Sequence, residues 1–213
     1  MSTEGSPVAT EVVMTDDDPG GYRAFTIRVV EGLKVTSTRA ALKSARRKEL
    51  DALPPSAFRA GAAVGVPHPG TSPQSHERVH AYIAVAAMMA SVPRSTGLRI
   101  RATGQSSHSL GRCLADAVSA GQMRESAAES RLALLVKQSP GGLHRHLPGT
   151  VALLAARPEN VDWAQLLADL VRWPDHRRSV ARRWLQDFYR HIPRVEIKLK
   201  EVEKMPEDDN SCQ

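Results

Sequence analysis

Residues 162–190 read DWAQLLADLVRWPDHRRSVARRWLQDFYR, and this stretch decides the fold class. Asp162 is a good N-cap, and large apolar residues follow it at helical spacing until Pro174 ends the pattern. A second amphipathic pattern follows the proline, with Trp184 and Phe188 on its apolar face and arginines on the other. The stretch therefore predicts two consecutive helices, at 162–173 and 175–190.

The same periodicity extends toward the N-terminus, where the chain is rich in Ala and Leu. Further helices are predicted at about 23–32, 38–53, 76–91, 108–120, 124–138 and 149–156, with Pro/Gly-rich loops at 54–75 and 93–107. Strand signals are weak outside Arg194–Lys200. We predict an all-α protein of about eight or nine helices in two small packed bundles.

Composition divides the chain into four segments. We predict a disordered acidic tail at 1–22, an N-terminal helical bundle at 23–122, a C-terminal helical bundle at 123–190 and a charged tail at 191–213. Two cysteines cannot build a disulfide framework, and the apolar run from Ala81 to Ala90 is too short for a membrane span. The acidic N-terminus is unlike a signal peptide, so we expect a cytoplasmic protein without a membrane partner.

Charge is distributed unevenly over the 213 residues. The chain has 29 Lys and Arg against 23 Asp and Glu, for a net charge of +6. Residues 1–20 hold five acids and no Lys or Arg, and residues 191–213 hold six acids and four bases, which leaves +13 on residues 21–190. Of the cations, 22 are Arg, whose planar fork suits phosphate. A polyanionic partner is therefore the first hypothesis.

The most specific feature of this charge distribution is a basic stripe on one predicted helix. On the helix predicted from residue 38, four cations fall within one sector of the helical wheel and could follow a phosphate backbone. Only 4% of the residues are aromatic, too few for a base-stacking platform, so binding should be to backbone and independent of sequence. The predicted nucleic-acid-binding residues are Arg39, Lys43, Arg46, Arg47, Arg99, Arg101, Arg112, Arg131, Lys137 and Arg145.

One short motif suggests an enzyme instead. His76, Glu77 and His80 match the H-E-x-x-H pattern, in which two histidines on one helix face hold zinc and the glutamate activates water. No third ligand is evident, and His144 and His146 are expected to be surface residues of a loop or helix start. Phosphate-loop, dinucleotide-binding and nucleophile-elbow motifs are missing. We therefore predict a non-enzyme without a cofactor, with a zinc-dependent hydrolase as the alternative.

Five groups of residues, taken in their order along the chain, carry a resemblance to a known family. They are Ser109–Arg112; Glu129–Arg131 with Leu134–Lys137; Leu143–Leu147; Asp162–Trp173; and Trp184–Tyr189. Together they resemble the CasB family, the small subunit of the type I-E CRISPR Cascade surveillance complex. The resemblance covers about residues 23–190. It implies an all-helical, non-catalytic subunit, present in two copies per complex, that holds the target and displaced DNA strands of the R-loop in antiviral defence.

Matched to the family pattern, the basic positions are Arg39, Lys43, Arg112, Arg131 and Lys137. One departure is Pro148, which stands where relatives often have Arg, and the nearby Arg145 is expected to replace it. The implied partners are the other Cascade subunits, the guide RNA, both DNA strands and a second copy of the chain. A structural adaptor, whose basic surface meets acidic protein patches instead of phosphate, stays open as a further alternative.

Overall fold

The computed structural model describes residues 19–68, 70–100, 106–157 and 161–192. In these ranges the chain forms α-helices and a short 3-10 helix at Leu50–Ala52, with no strand, which confirms the predicted all-α class. The helices are α1 (Pro19–Gly32), α2 (Thr36–Ser44), α3 (Pro55–Ala63), α4 (Pro73–Ser91), α5 (Leu110–Ser119), α6 (Glu125–Val136), α7 (Pro140–Leu154) and α8 (Trp163–His191). Within those ranges, none of the helices combines the length and apolarity that a membrane crossing requires.

Helix α8 is central to the packing. It contacts α1, α4, α5 and α6, and its predicted core residues are buried: Trp163, Trp173, Trp184 and Phe188. Asp162 caps the helix as predicted, because its carboxylate accepts a hydrogen bond from the Gln165 backbone N–H at 3.1 Å. The two predicted helices form one run, interrupted at His176, where φ is −121° and ψ is 25°. Pro174 explains the interruption, since proline removes a ladder hydrogen bond and displaces the preceding turn.

A buried carboxylate joins the two halves of α8. Asp169 is fully buried in the first half, and its oxygens accept hydrogen bonds from Gln165 Nε2 at 2.6 Å and from Trp184 Nε1 at 2.5 Å. The Arg183 guanidinium also donates to it. Burial raises the pKa of Asp169, and these donors oppose that shift. Because Arg183 and Trp184 lie beyond the interruption, Asp169 fixes the angle between the two halves.

Several predicted boundaries are wrong because prolines were interpreted as loop residues. Helix α3 lies inside the predicted 54–75 loop, and Pro55 is its first residue, where a missing N–H costs nothing. Helices α4 and α7 also begin on proline, after the capping side chains of Ser72 and Ser139. Helix α7 continues through Pro148, whereas the prediction began a helix at residue 149.

The region from 38 to 53 also departs from the prediction of one continuous helix. Helix α2 ends at Ser44, and Arg47 adopts a left-handed conformation with φ of 64°, which reverses the chain before the 3-10 turn. The predicted tails at 1–22 and 191–213 lie outside the described residues apart from 19–22 and 191–192, as does the Arg194–Lys200 strand signal. The division into bundles at 122/123 stays a prediction.

Candidate nucleic-acid interface

The predicted basic stripe does not lie on a single helix. Arg39 and Lys43 belong to α2, but Arg46 and Arg47 follow its end and belong to the reversing segment. The four cations therefore do not share the helical sector that their spacing predicts. The physical reason is the left-handed turn at Arg47, which breaks the periodicity.

Arg39 holds the fold together at the end of α4. Its Nη1 donates to the carbonyl of Val92 at 2.9 Å and to that of Ala90 at 3.4 Å, and its Nε donates to the Leu33 carbonyl at 3.4 Å. These carbonyls lie near helix C-termini, where backbone carbonyl groups have no hydrogen-bond partner within the helix. Burial, together with the nearby Arg94, lowers the pKa of Arg39. Arg39 thus has a structural role that the sequence did not reveal.

Three predicted residues meet where the 45–49 segment packs on α7. Arg46 Nη2 donates to the Pro148 carbonyl at 3.2 Å, and Arg145 Nη2 lies 3.4 Å from Glu49 Oε1. The Arg47 guanidinium lies beside Gly149, 3.4 Å from where a Cβ would stand on that glycine. With the exposed Lys48, they form the junction cluster: Arg46, Arg47, Lys48 and Arg145.

Four predicted cations are exposed and make no ion pair or side-chain hydrogen bond with the described residues: Lys43, Arg47, Arg99 and Lys137. Two others are engaged, because Arg112 Nε lies 2.8 Å from Asp116 Oδ1 and Arg131 Nη1 donates to the Ala127 carbonyl at 3.1 Å. Arg101 lies outside the described residues. Of the predicted cations in the described ranges, these four can bind an external anion without first breaking an ion pair or a side-chain hydrogen bond.

A basic cleft between α6 and α7 contains residues that sequence reasoning missed. Its volume is about 620 Å³, and the predicted Arg131 lines it together with Arg124 and Arg157. No acidic side chain is among the residues that line it. Arg124 and Arg157 are 33 positions apart, so only the packing of α6 against α7 brings them together, and no local motif could have revealed the cleft.

The aromatic side chains agree with the expected binding mode. All three tryptophans are buried, and of the nine aromatic residues only Phe58 and Tyr189 are exposed. Tyr189 donates to Glu129 Oε1 at 2.5 Å. The surface therefore offers cations and few rings, which favours contacts to phosphate over stacking on bases.

The H-E-x-x-H segment forms a different group from the predicted one. Among the described residues, the ligand atoms of Glu77, His80 and His144 lie within 4.8 Å of one another, and His76 is exposed and is not a member. His144 is buried on α7, so its predicted surface position is wrong, whereas His146 is exposed. Burial, helped by the neighbouring His80 ring, lowers the pKa of His144 to about 3. The geometry thus pairs Glu77, rather than His76, with His80.

Comparisons with known proteins agree on one family. The family model for CRISPR-associated protein Cse2 matches residues 38–189. The curated CRISPR-associated protein Cse2 of Thermus thermophilus is 33% identical over 96 residues, which are 45% of this chain and 55% of that protein. The chain thus matches about half the length of this curated relative.

Solved structures extend the likeness over most of the chain. A chain of a CRISPR RNA-guided surveillance complex is similar with a TM-score of 0.69 and 33% identity, over 82% of this chain and 94% of that one. The crystal structure of M. ruber CasB is similar in fold, with a TM-score of 0.53 and 19% identity, over 76% of this chain and 90% of that one.

Proposed function

The chain belongs to the Cse2 family of CRISPR-associated proteins, and from this premise we propose that it is a non-catalytic small subunit of a CRISPR RNA-guided surveillance complex. It acts in the cytoplasm beside the other Cascade subunits and the guide RNA, together with a second copy of itself. Its task is to hold the target and displaced DNA strands and so to stabilise the R-loop. The observation that carries the proposal is the match to 94% of a chain from such a complex.

Physical chemistry makes this task plausible for a protein without a reactive centre. Exchanging a DNA duplex for an RNA–DNA heteroduplex is nearly balanced in free energy, so modest contacts to the strands decide whether the loop stays open. Guide pairing already reads the sequence, and the subunit needs only contacts to phosphate. Exposed arginines and lysines supply such contacts by releasing counterions.

The predicted cations that are exposed and have no side-chain partner among the described residues are proposed as the primary contacts: Lys43, Arg47, Arg99 and Lys137. Lys43 and Arg47 lie at the end of α2 and in the junction cluster, and Lys137 caps the C-terminus of α6. The cleft formed by Arg124, Arg131 and Arg157 adds a concave anion-binding surface. Arg39 is excluded from the proposed contacts because its guanidinium is already used by backbone carbonyls. Arg46, Arg101, Arg112 and Arg145 are proposed as secondary contacts.

The test is a triple substitution, Lys43→Gln, Arg47→Gln and Lys137→Gln, measured for single-stranded DNA binding over a range of salt concentrations. Each lost phosphate contact reduces the slope of log K against log salt by about 0.7. For the triple variant, the slope of log K against log salt should therefore be smaller in magnitude by about 2. This variant should bind single-stranded DNA roughly 50-fold more weakly at 0.15 M salt. In the assembled complex, the R-loop should dissociate correspondingly faster.

A matched control removes the same charge elsewhere. Arg178, Arg182 and Arg190 on α8 are also exposed, have no side-chain partner in the part of the chain that the structure describes, and were not predicted as contacts. Their triple Gln variant should keep the salt slope of the parent chain. Equal losses in both variants would show an effect of net charge alone, and no loss in the first variant would reject the site. If the isolated chain bound no DNA at low salt, the adaptor alternative would replace this proposal.

A further inference from the structure

Three potential metal ligands converge between helices α4 and α7. Glu77 and His80 lie one helical turn apart on α4, and His144 comes from α7, 64 positions further along the chain. One ligand atom from each lies within 4.8 Å of the other two. The His80 and His144 rings are 4.0 Å apart between centroids and inclined by 33°. The packing of the two helices therefore brings two imidazoles and a carboxylate to one point.

Two polar atoms in this group are buried and have no hydrogen-bond partner in the described part of the chain. Glu77 Oε2 and His144 Nδ1 make no hydrogen bond with the described residues. A buried polar atom without a partner costs free energy, so such atoms are rare unless a ligand or water satisfies them. Glu77 Oε2 carries lone pairs only, and His144 Nδ1 offers a lone pair in the tautomer protonated at Nε2, so a cation or a hydrogen-bond donor can satisfy both atoms.

The surroundings of His80 favour a cation. His80 Nε2 lies 3.0 Å from the Lys48 carbonyl, which can only accept, so Nε2 carries the proton and Nδ1 keeps its lone pair. A backbone carbonyl that fixes the tautomer in this way is the usual support of a metal-binding histidine. The sequence pattern of Glu77 and His80, three apart on a helix, also recurs in metal sites of helical bundles.

We propose that Glu77, His80 and His144 bind one Zn²⁺ ion that joins α4 to α7. Two imidazole nitrogens and one carboxylate oxygen form a donor set that zinc prefers, with a fourth position for water. Ligand atoms in a tetrahedral site are about 3.3 Å apart, so side-chain movements of roughly 1 Å bring the present group to coordination distance. The ion would stabilise the helix packing beside the junction cluster. This inference is independent of the proposed function and includes no reaction.

The test measures zinc on the full-length chain after treatment with a chelator. Mass spectrometry of the metal content should show one equivalent of zinc retained after addition and desalting. Free zinc at 100 times the Kd should raise the folded-to-unfolded ratio about 100-fold, which corresponds to a rise in Tm of roughly 5–10 °C. Glu77→Gln and His144→Gln should each abolish the retained equivalent and the rise in Tm.

Two control histidines match the proposed ligands. His76 lies in the same H-E-x-x-H segment as Glu77 and His80, and His146 lies on the same helix as His144. Both residues are exposed, and each is replaced by Gln. Both variants should keep the zinc. Loss of zinc in His76→Gln would reject this site in favour of a conventional H-E-x-x-H arrangement. Zinc retained by both Glu77→Gln and His144→Gln, or no zinc retained by the parent chain, would also overturn the proposal. If His144→Gln failed to fold, the partly exposed Glu77→Gln would decide alone.

Discussion

Replacing Gly111 by alanine should be among the most destabilising small substitutions in this chain. Gly111 is buried on α5 where that helix crosses α8. A Cβ at this position would stand 1.7 Å from the Trp184 carbonyl oxygen and 2.6 Å from the Trp184 carbonyl carbon. The obstacle is backbone, so it cannot rotate away as a side chain could. The two helices must therefore separate.

The magnitude follows from this distance. A relaxed carbon–oxygen contact needs a little over 3 Å, so α5 and α8 would move apart by about 1.5 Å and loosen the packing around Trp184 and Phe188. Overpacking of this kind typically costs 1–3 kcal/mol, and rigid backbone places the cost near or above the upper end. The better helix propensity of alanine returns about 1 kcal/mol. We expect a net loss of about 2–3 kcal/mol, or roughly 4–12 °C in Tm.

Urea unfolding followed by tryptophan fluorescence measures this loss directly. The control is Gly141→Ala on α7, where a new Cβ meets nothing within 4 Å and should leave stability unchanged or raise it by up to about 1 kcal/mol. A Gly111→Ala variant within about 0.5 kcal/mol of the parent chain would refute the argument, because that is the range of substitutions without structural consequence.

Two further predictions concern buried ionisable groups. Asp169→Asn should cost about 2–3 kcal/mol in urea unfolding, because the buried end of Arg183 loses its counter-charge, whereas the exposed Asp175→Asn should change little. The pKa of His144 in the folded chain, about 3, is below its ordinary value of 6.5, so the unfolded chain binds the extra proton and stability falls as pH drops from 6.5 toward 3. In metal-free protein the free energy of unfolding should fall by about 2 kcal/mol by pH 5. The His144→Gln variant should lose this pH dependence, and the His146→Gln variant should keep it. A parent chain that is as stable at pH 5 as above pH 6.5 would contradict the reasoning.

Hydrophobic periodicity predicted the helices that have a clear apolar face. Helix α8 and the part of α4 from residue 76 to 91 were predicted correctly, and so was the all-α class, because large apolar residues at spacings of three and four leave few alternatives. Family membership also confirms the resemblance to CasB. Helix starts were predicted less well, since Pro55 and Pro140 occupy first-turn positions that local sequence does not distinguish from loops.

The candidate site depends on contacts that no local pattern encodes. The left-handed turn at Arg47 divides the basic stripe, and two of the three carbonyls that engage Arg39 come from the end of α4, 51 and 53 positions away. The grouping of Glu77 with His144 likewise arises only when α7 packs on α4. The sequence identifies many of the candidate cations, but it does not show which of them already make hydrogen bonds or ion pairs within the fold.

The buried carboxylate inside α8 has a consequence for the DNA binding that we propose for this surface. Beside the interruption that Asp169 bridges, Trp173 Nε1 donates to the Gln138 carbonyl at 3.4 Å and Arg177 Nη2 to the Lys137 carbonyl at 3.2 Å. These bonds anchor the backbone at Lys137 to a helix whose bend is itself fixed. The backbone that carries this cation is therefore ordered before any strand arrives. In the proposed function, binding a strand at Lys137 would then require little loss of main-chain entropy, and even weak phosphate contacts would contribute most of their free energy to keeping the strands apart.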